Sequence, residues 1–439
     1  SQMPLDELIP RLDAVIREVK QELGVGPDQK AAAEKAVAEK ERVGPEDQQA
    51  RERDREKLNS RFEQREKTRV DTPRDKLNPE FEQTEKRQEE TNRWQSRELP
   101  FSAHGMRVGD ANGDGKEEIF LLQERKVKAF VKRGGGLEHL ATYEMPSRFK
   151  ALTLDLSAPD SDGARHIVVS ALRDKEPRSF ILAFRDGGFS VVAKDVKLLL
   201  SVARTPPEYS ARLVGQKLDG PGNFANGVGL VEHESGKYKL GRTLQLPKAA
   251  NVFNFAYLPQ KGGYKVIVAD SSSQLRVYNS NGEREATTEK AYAGSEVRIR
   301  KKTSLPGMGE DPDDPPSYYF LPARLIPCNL DTDDEFELVV NRSMASYSRF
   351  LKNQRSYSRG AIHSLYWDGL GLDTAWKTQT VKGSIQDYGF GDINNNGSLE
   401  LSICLHTKPG TLSLEGKKTV LLAYPLDLPQ KEREAIFRP

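Results

Sequence analysis

Three short acidic segments of the sequence repeat one order of oxygen-bearing side chains. In the first segment, positions one, three, five and nine are taken by Asp110, Asn112, Asp114 and Glu118. Oxygen ligands that alternate along a tight loop can wrap a hard cation, because Ca²⁺ takes six to eight oxygens in flexible geometry. The main-chain carbonyl of Lys116, at position seven, is expected to be a further ligand. The pattern predicts a calcium site.

Two further segments keep the same register. Positions one, three, five and nine of the second are Asn329, Asp331, Asp333 and Glu337, and those of the third are Asp392, Asn394, Asn396 and Glu400. Three copies in one register indicate Ca²⁺ sites, and the third should be weakest because it offers the fewest charged ligands. A fourth segment, from Asp155, has extra residues and no closing acid. Its sequence fits a plain turn as well as it fits a metal site.

The sequence offers little other chemistry. It contains no His-Glu-x-x-His, phosphate loop, Gly-x-Ser-x-Gly or dinucleotide fingerprint. Its six histidines are scattered, and we expect packed or exposed residues rather than catalysts. A net charge of +2 gives no electrostatic reason for nucleic-acid binding, and no apolar run is long enough to span a bilayer. We therefore expect neither an enzyme nor a nucleic-acid-binding or membrane-spanning chain.

The acidic loops recur within a larger repeat. Each stands between two short apolar runs, and a second apolar pair with a Gly-rich turn usually follows, which predicts four strands per unit. Units of this kind begin near Met106, Leu152, Leu198, Phe253, Leu325 and Tyr388. A four-stranded unit repeated about every fifty residues is typical of β-propeller blades.

The sequence thus predicts a mainly β protein, a six-bladed β-propeller over residues 99–439. The last unit lacks a clean fourth strand, so residues just before Phe101 are expected to close the ring, since closure removes exposed sheet edges. The unit between Asn281 and Trp367 is long enough to make a seventh blade the alternative.

Residues 1–98 have a different character and predict a charged, helical N-terminal arm. Apolar residues from Leu5 to Leu23 fall at helical spacing, typical of a helix that docks on a partner or packs on its own chain. Lys30 to Glu98 is rich in Glu, Lys, Arg and Gln, which predicts short solvated helices and linkers.

The loops, each set between two strands, resemble the FG-GAP or VCBS-type repeats of integrin-α-like propellers, over about Phe101 to Leu426. The nearest fragment of the FG-GAP motif itself is Tyr388-Gly389-Phe390-Gly391. The resemblance implies a calcium-binding propeller. It leaves function open, since the family includes adhesion subunits, lectin-like modules and lyases.

From these features we expect an extracytoplasmic, bacterial binding module for adhesion or assembly with a protein partner. Millimolar calcium outside the cytoplasm suits weak modular sites. The alternatives are a carbohydrate-binding propeller, with sugars stacked on Tyr318, Tyr319, Tyr347 or Tyr357, and a polysaccharide-active enzyme. The two cysteines, Cys328 and Cys404, fit either a single bridge or two buried thiols.

Overall fold

The computed structural model describes residues 93–225, 227–301, 316–331, 333, 335–345, 355–407, 416–429 and 433–439. These residues form a mainly β protein of six antiparallel four-stranded blades. The predicted six-bladed propeller is therefore confirmed. The predicted helical arm (apart from its last residues), Tyr347 and most of the long insertion lie outside the described residues.

The first three blades follow the predicted units. Blade 1 consists of β2 (Gly105–Gly109), β3 (Glu118–Leu122), β4 (Lys126–Arg133) and β5 (Gly136–Glu144). Blade 2 consists of β6 (Phe149–Leu156), β7 (Ile167–Arg173), β9 (Ser179–Arg185) and β10 (Gly188–Val196), with β8 (Glu176–Pro177) paired to β7. Blade 3 consists of β11 (Leu199–Thr205), β12 (Ser210–Gln216), β13 (Gly229–Glu234) and β14 (Lys237–Thr243).

The remaining blades complete the ring. Blade 4 consists of β15 (Phe255–Gln260), β16 (Gly263–Ala269), β17 (Leu275–Tyr278) and β18 (Arg284–Thr287). Blade 5 consists of β21 (Ile326–Cys328), β22 (Glu337–Ala345), β23 (Tyr357–Trp367) and β24 (Leu372–Lys377), with β25 (Val381–Lys382) paired to β23. Blade 6 consists of β26 (Ser384–Gly391), β27 (Ser398–Thr407), β28 (Lys418–Pro429) and β1 (Trp94–Gln95).

The long unit adds a separate hairpin instead of a seventh blade within the described residues. This hairpin pairs β19 (Arg298–Lys301) with β20 (Ser317–Phe320). A short 3₁₀ turn, Ala435–Phe437, lies near the C-terminus. Cys328 and Cys404 lie in blades 5 and 6 as buried free thiols, so the structure contains no bridge between them.

Burial explains why these segments form strands. The second strand β3 is buried along its whole length, whereas the outer strand β5 is mostly exposed or half-buried. Tight turns connect the outer hairpins: Asp186 and Gly187 join β9 to β10 with φ of 53° and 71°. Positive φ at both central residues matches the twist of the two strands, and an Asp-Gly pair accommodates it.

The ring is closed by the N-terminal strand. In β1, Trp94 pairs with Ala423 and Gln95 with Leu422 of β28, and Leu99 forms a further bridge with Thr419. The prediction that residues before Phe101 supply the fourth strand of blade 6 is confirmed. This strand, Trp94–Gln95, lies just before residue 99, the predicted start of the propeller.

Four charged side chains meet at the central channel. Arg107 contacts Asp155 at 3.1 Å and Asp387 at 3.5 Å, and Arg324 contacts both carboxylates as well. Arg107, Asp155 and Asp387 lie in the first strands of blades 1, 2 and 6, and Arg324 lies two residues before the first strand of blade 5. The network therefore links the inner parts of four blades. Burial raises the pKa of Asp155 to about 6 although Arg107 opposes the shift.

Residues 433–439, called here the C-terminal segment, lie across one end of the channel. The segment lines a channel cavity of about 230 Å³. Its partners come from five blades: Val108, Arg165, Arg204, Asn329 and Phe390. Glu434 bridges Arg165 at 2.8 Å and Arg204 at 2.9 Å, and although burial opposes it, these guanidinium groups lower the pKa of Glu434 to about 2.

This contact pattern predicts that the C-terminal segment stabilises the propeller. Phe437 is 9% exposed and lies 4.0 Å from the guanidinium of Arg204. Phe437→Ala should lower the free energy of unfolding by about 3 kcal/mol, as for other buried Phe→Ala changes. Phe437→Leu is the matched control, and it should lower the free energy of unfolding by less. Equal stability of the parent and Phe437→Ala in urea unfolding would show that the segment contributes nothing.

Candidate functional site

The three acidic segments form loops at one end of the propeller. We name them loop A (residues 110–118, blade 1), loop B (329–337, blade 5) and loop C (392–400, blade 6). Each loop joins the first strand of its blade to the second. The first strands lie at the channel, where β2 contacts β6 and β26, and β15 contacts β11 and β21. Since the first strands run in one direction around the ring, their loops share one end, the end that the C-terminal segment covers.

Loops A and C have the same backbone conformation. Positions four and six are left-handed in both: Gly113 and Gly115 in loop A have φ of 82° and 83°, and Asn395 and Gly397 in loop C have φ of 56° and 88°. Glycine adopts this region without steric cost, and asparagine tolerates it. The predicted register of the two loops therefore corresponds to one geometry.

Side chains at positions one and nine hold these loops in shape. The carboxylate at position one accepts the N–H of position six, 2.8 Å from Gly115 to Asp110 and 2.7 Å from Gly397 to Asp392. The glutamate at position nine reaches back to the second residue of its loop. Glu118 accepts the N–H of Ala111 at 3.0 Å, and Glu400 that of Ile393 at 2.8 Å.

Position five behaves alike in all three loops. Its side-chain oxygen accepts the N–H of position seven, as Asp114 does from Lys116 at 2.7 Å, Asp333 from Glu335 at 2.7 Å and Asn396 from Ser398 at 2.9 Å. These oxygens cap main-chain N–H groups of their own loop. At position three, Asn112 Nδ2 donates to Glu118 Oε1 at 3.0 Å, and Asn394 Nδ2 donates to Glu400 Oε1. The loops therefore gather oxygen-bearing side chains, the ligand type that a hard cation takes.

Loop B brings its carboxylates closest together. One carboxylate oxygen from each of Asp331, Asp333 and Glu337 lies within 4.8 Å of the other two. Among the described residues, no other three His, Cys, Asp or Glu side chains bring their ligand atoms this close together. Asn329 Oδ1, at position one, is a buried acceptor without a hydrogen-bond donor. Asn394 Oδ1, at position three of loop C, is in the same state. A cation would satisfy both amide oxygens, because a buried acceptor without a partner is costly.

The loops also bury negative charge. Five carboxylates at the ligand positions are less than a tenth exposed: Glu118, Asp331, Glu337, Asp392 and Glu400. Burial, reinforced by Asp114 and Asp110, raises the pKa of Glu118 to about 7. Burial, reinforced by Asp392 and Glu117, likewise raises the pKa of Glu400 to about 7. Like charges that are buried together favour a bound cation or a proton.

The fourth acidic segment is arranged differently. Asp155 is the penultimate residue of β6 and belongs to the channel network with Arg107 and Arg324. Asp160 accepts the N–H groups of Asp162 and Ala164 at 3.0 Å each. These contacts are those of a plain turn, the first of the two interpretations of this segment.

Glu117 is a residue of the site that was not predicted from the sequence. Glu117 stands beside the ligand position Glu118 and is only 4% exposed. Its side chain accepts the N–H of Asp392 at 2.9 Å and contacts Arg433 at 2.6 Å. The only signal in the sequence was a second glutamate beside position nine, which gives no indication of contact with another blade.

His406, in β27 of blade 6, lies close to the side chains of Ser102 and Glu296. Ser102 Oγ is 3.0 Å from His406 Nε2, and burial lowers the pKa of His406 to about 4. Glu296 is 3.9 Å from His406 Nδ1, beyond hydrogen-bond distance, and accepts Lys417 at 2.5 Å instead. In a catalytic nucleophile–histidine pair, a third group orients the histidine by a hydrogen bond. Glu296 would be that group here, and it is too far from His406 Nδ1 to form the bond.

Two of the tyrosines considered for sugar stacking, Tyr318 and Tyr319, have cations beside their rings. Arg298 lies 4.1 Å from the ring centre of Tyr318, and Lys301 lies 5.8 Å from that of Tyr319. Tyr319 also accepts a hydrogen bond from Asn251 at 2.7 Å. One face of each ring is therefore already covered.

Comparisons with known proteins identify similar solved structures but no family. No family model matches the chain, and no curated protein matches it. The structure of BBS1N in complex with ARL6DN, soaked with lead, is 12% identical with a TM-score of 0.40, covering 75% of this chain and 95% of that chain. The mercury-soaked form is 14% identical with a TM-score of 0.37 and the same coverage. The fold assignment therefore rests on the strand pairing.

Within the described ranges, no helix is both long enough and apolar enough to cross a bilayer.

The raised pKa values predict an unusual pH dependence of stability. Without metal, Glu118 and Glu400 should keep their protons in the folded protein up to their raised pKa of about 7, whereas in the unfolded chain they should lose them near the usual pKa of 4.5. Each group should therefore cost about 1.4 kcal/mol of stability for every pH unit between these values as pH rises.

Urea unfolding in chelator at pH 5 and pH 8 measures this effect. The parent should lose more stability toward pH 8 than the Glu118→Gln/Glu400→Gln double variant, which carries neither charge. The same pH dependence in both proteins would contradict the assignment.

Proposed function

We propose that this chain is an extracytoplasmic propeller that binds Ca²⁺ in loops A, B and C and serves as a binding module for a protein partner. The observation that carries the proposal is the convergence of Asp331, Asp333 and Glu337 within 4.8 Å in loop B. Three like charges at this separation repel one another strongly in a partly buried site. A divalent cation removes that repulsion.

The ligand chemistry favours calcium over a transition metal. The side chains at the ligand positions are carboxylates and amides, and neither histidine nor cysteine stands among them. Hard oxygen ligands on a flexible loop suit Ca²⁺, while Mg²⁺ demands near-ideal octahedral geometry and zinc prefers nitrogen and sulfur. We place Asp110, Asn112, Asp114, Glu118 and the Lys116 carbonyl on the first ion, and the corresponding residues of loops B and C on the others.

The FG-GAP or VCBS-type resemblance supports the same assignment, since such propellers carry calcium in loops between two strands. It also supports an extracytoplasmic place for the protein. Loops that are partly open to solvent, as at Asp114, suit the millimolar calcium found outside the cytoplasm.

A protein partner is supported by exposed apolar groups on the rim of the ring. Val191 and Val192 are 45% and 44% exposed on β10, the outer strand of blade 2. An outer strand has an unpaired edge, which is a common place for another chain to dock. The covered rings of Tyr318 and Tyr319 make a sugar ligand the weaker candidate.

Calcium should stabilise the folded protein. A ligand that binds only the native state adds about 2.7 kcal/mol at a hundredfold excess over its dissociation constant. The melting temperature should therefore rise when chelator is replaced by millimolar Ca²⁺. An unchanged midpoint would contradict metal binding in the loops.

Single-loop variants are the control for this experiment and rank the sites. Loop A offers three charged ligands and loop C two, so loop A should attract the ion more strongly. In calorimetric titrations, Asp110→Ala should remove a tighter site than Asp392→Ala removes. If Asp392→Ala abolishes the tightest binding event while Asp110→Ala spares it, charge does not order these sites.

A further inference from the structure

Loops A and C are joined to each other by a reciprocal pair of hydrogen bonds. The N–H of Glu117 in loop A donates to Asn395 Oδ1 in loop C at 2.6 Å. Asn395 Nδ2 donates back to the main-chain carbonyl of Glu117 at 3.1 Å. The amide of Asn395 therefore holds loop A directly beside Glu118, the ligand at position nine.

The side chain of Glu117 makes the connection in the other direction. Its Oε2 accepts the N–H of Asp392, the ligand at position one of loop C, at 2.9 Å. Its Oε1 accepts Arg433 of the C-terminal segment at 2.6 Å, which fixes the carboxylate in place. Each loop thus holds the backbone next to a ligand of the other loop.

The two blades approach too closely for one loop to shift without the other. A Cβ atom at Gly391 would lie 2.6 Å from the side chain of Val108 in β2 and 2.8 Å from Glu117 Oε2. Real Cβ contacts essentially never fall below 3.0 Å. Glycine at this position lets the end of β26 lie directly against blade 1.

We propose that loops A and C bind their two divalent cations cooperatively, with Asn395 and Glu117 carrying the coupling. The inference rests on the proposed function of these loops. A cation in loop A fixes Glu118, and with it the peptide of Glu117 that contacts Asn395. Loop C is then already ordered when its own ion arrives, so binding there costs less conformational entropy. By linkage, the ion in loop C favours binding in loop A by the same factor.

Electrostatics acts on this pair in two opposing ways. Two bound cations repel each other, which on its own would make the second ion bind more weakly. The carboxylate of Glu117, however, stands between the loops and acts on Glu400 as well as on Asp392. It offsets part of the repulsion, and we expect the hydrogen-bonded coupling between the loops to outweigh the rest, so that the net cooperativity is positive.

Calorimetric titration of the full chain with CaCl₂ tests this inference. Asp331→Ala in every protein removes loop B from the measurement and leaves two sites. In that background Asp110→Ala should weaken binding in loop C at least about fivefold, the lower end of typical coupling.

Asn395→Gly is the variant that should separate the two loops. It removes the amide but keeps the left-handed φ of 56°, which glycine adopts freely. In this variant, Asp110→Ala should weaken binding in loop C by clearly less than fivefold, because only the contact between Glu117 and Asp392 remains. The matched control is Asn281→Gly, an exposed turn residue far along the chain in blade 4, which should keep the fivefold effect.

The outcomes are distinguishable. Cooperativity that Asn395→Gly reduces supports the inference. An affinity of loop C that does not change with Asp110→Ala overturns it while the calcium sites stand, and so does a coupling that Asn395→Gly leaves undiminished. Absence of calcium uptake in the parent chain overturns the proposed function, and this inference with it.

Discussion

Ring closure is the constraint on which the rest of this structure depends. Blade 6 takes its outermost strand, β1, from the residues that precede blade 1, with Trp94 and Gln95 paired to β28. This pairing covers the edge of β28 and ties the last blade to the first. Loops A and C lie on the two blades that meet there, and Glu117 and Asn395 join them. The proposed cation sites therefore stand at the joint that the fold must keep closed.

Buried charge is treated in two different ways within the same ring. At the channel, Asp155 and Asp387 are neutralised by Arg107 and Arg324, so their charge is balanced by the chain itself. In loops A and C the donors to the position-nine glutamates are neutral N–H and amide groups, and nearby acids add to the repulsion. Arginine balances the acidic charge at the channel, whereas a bound cation would balance that of loops A and C if the proposed function is correct.

Much of this architecture could be predicted from local sequence. The hairpin at Asp186-Gly187 and the loop register of Asp110 and Asp392 depend on neighbouring residues, so short-range pattern was enough to find them. The role of Glu117 and of Glu434 could not be predicted in this way. Their partners, Asp392 for the first and Arg165 and Arg204 for the second, stand more than two hundred residues away and meet them only after the ring has closed.

The central claim is that the three loops at one end of the propeller are cation sites that brace the closed ring. A crystal structure grown in calcium, with a lanthanide soak for anomalous scattering, tests it most directly. We expect a peak in each loop with six to eight oxygens at about 2.3–2.6 Å, among them Asn329 Oδ1 and Asn394 Oδ1, which are buried acceptors without donors. Loops that contain only water, with these two oxygens unchanged, would contradict the account.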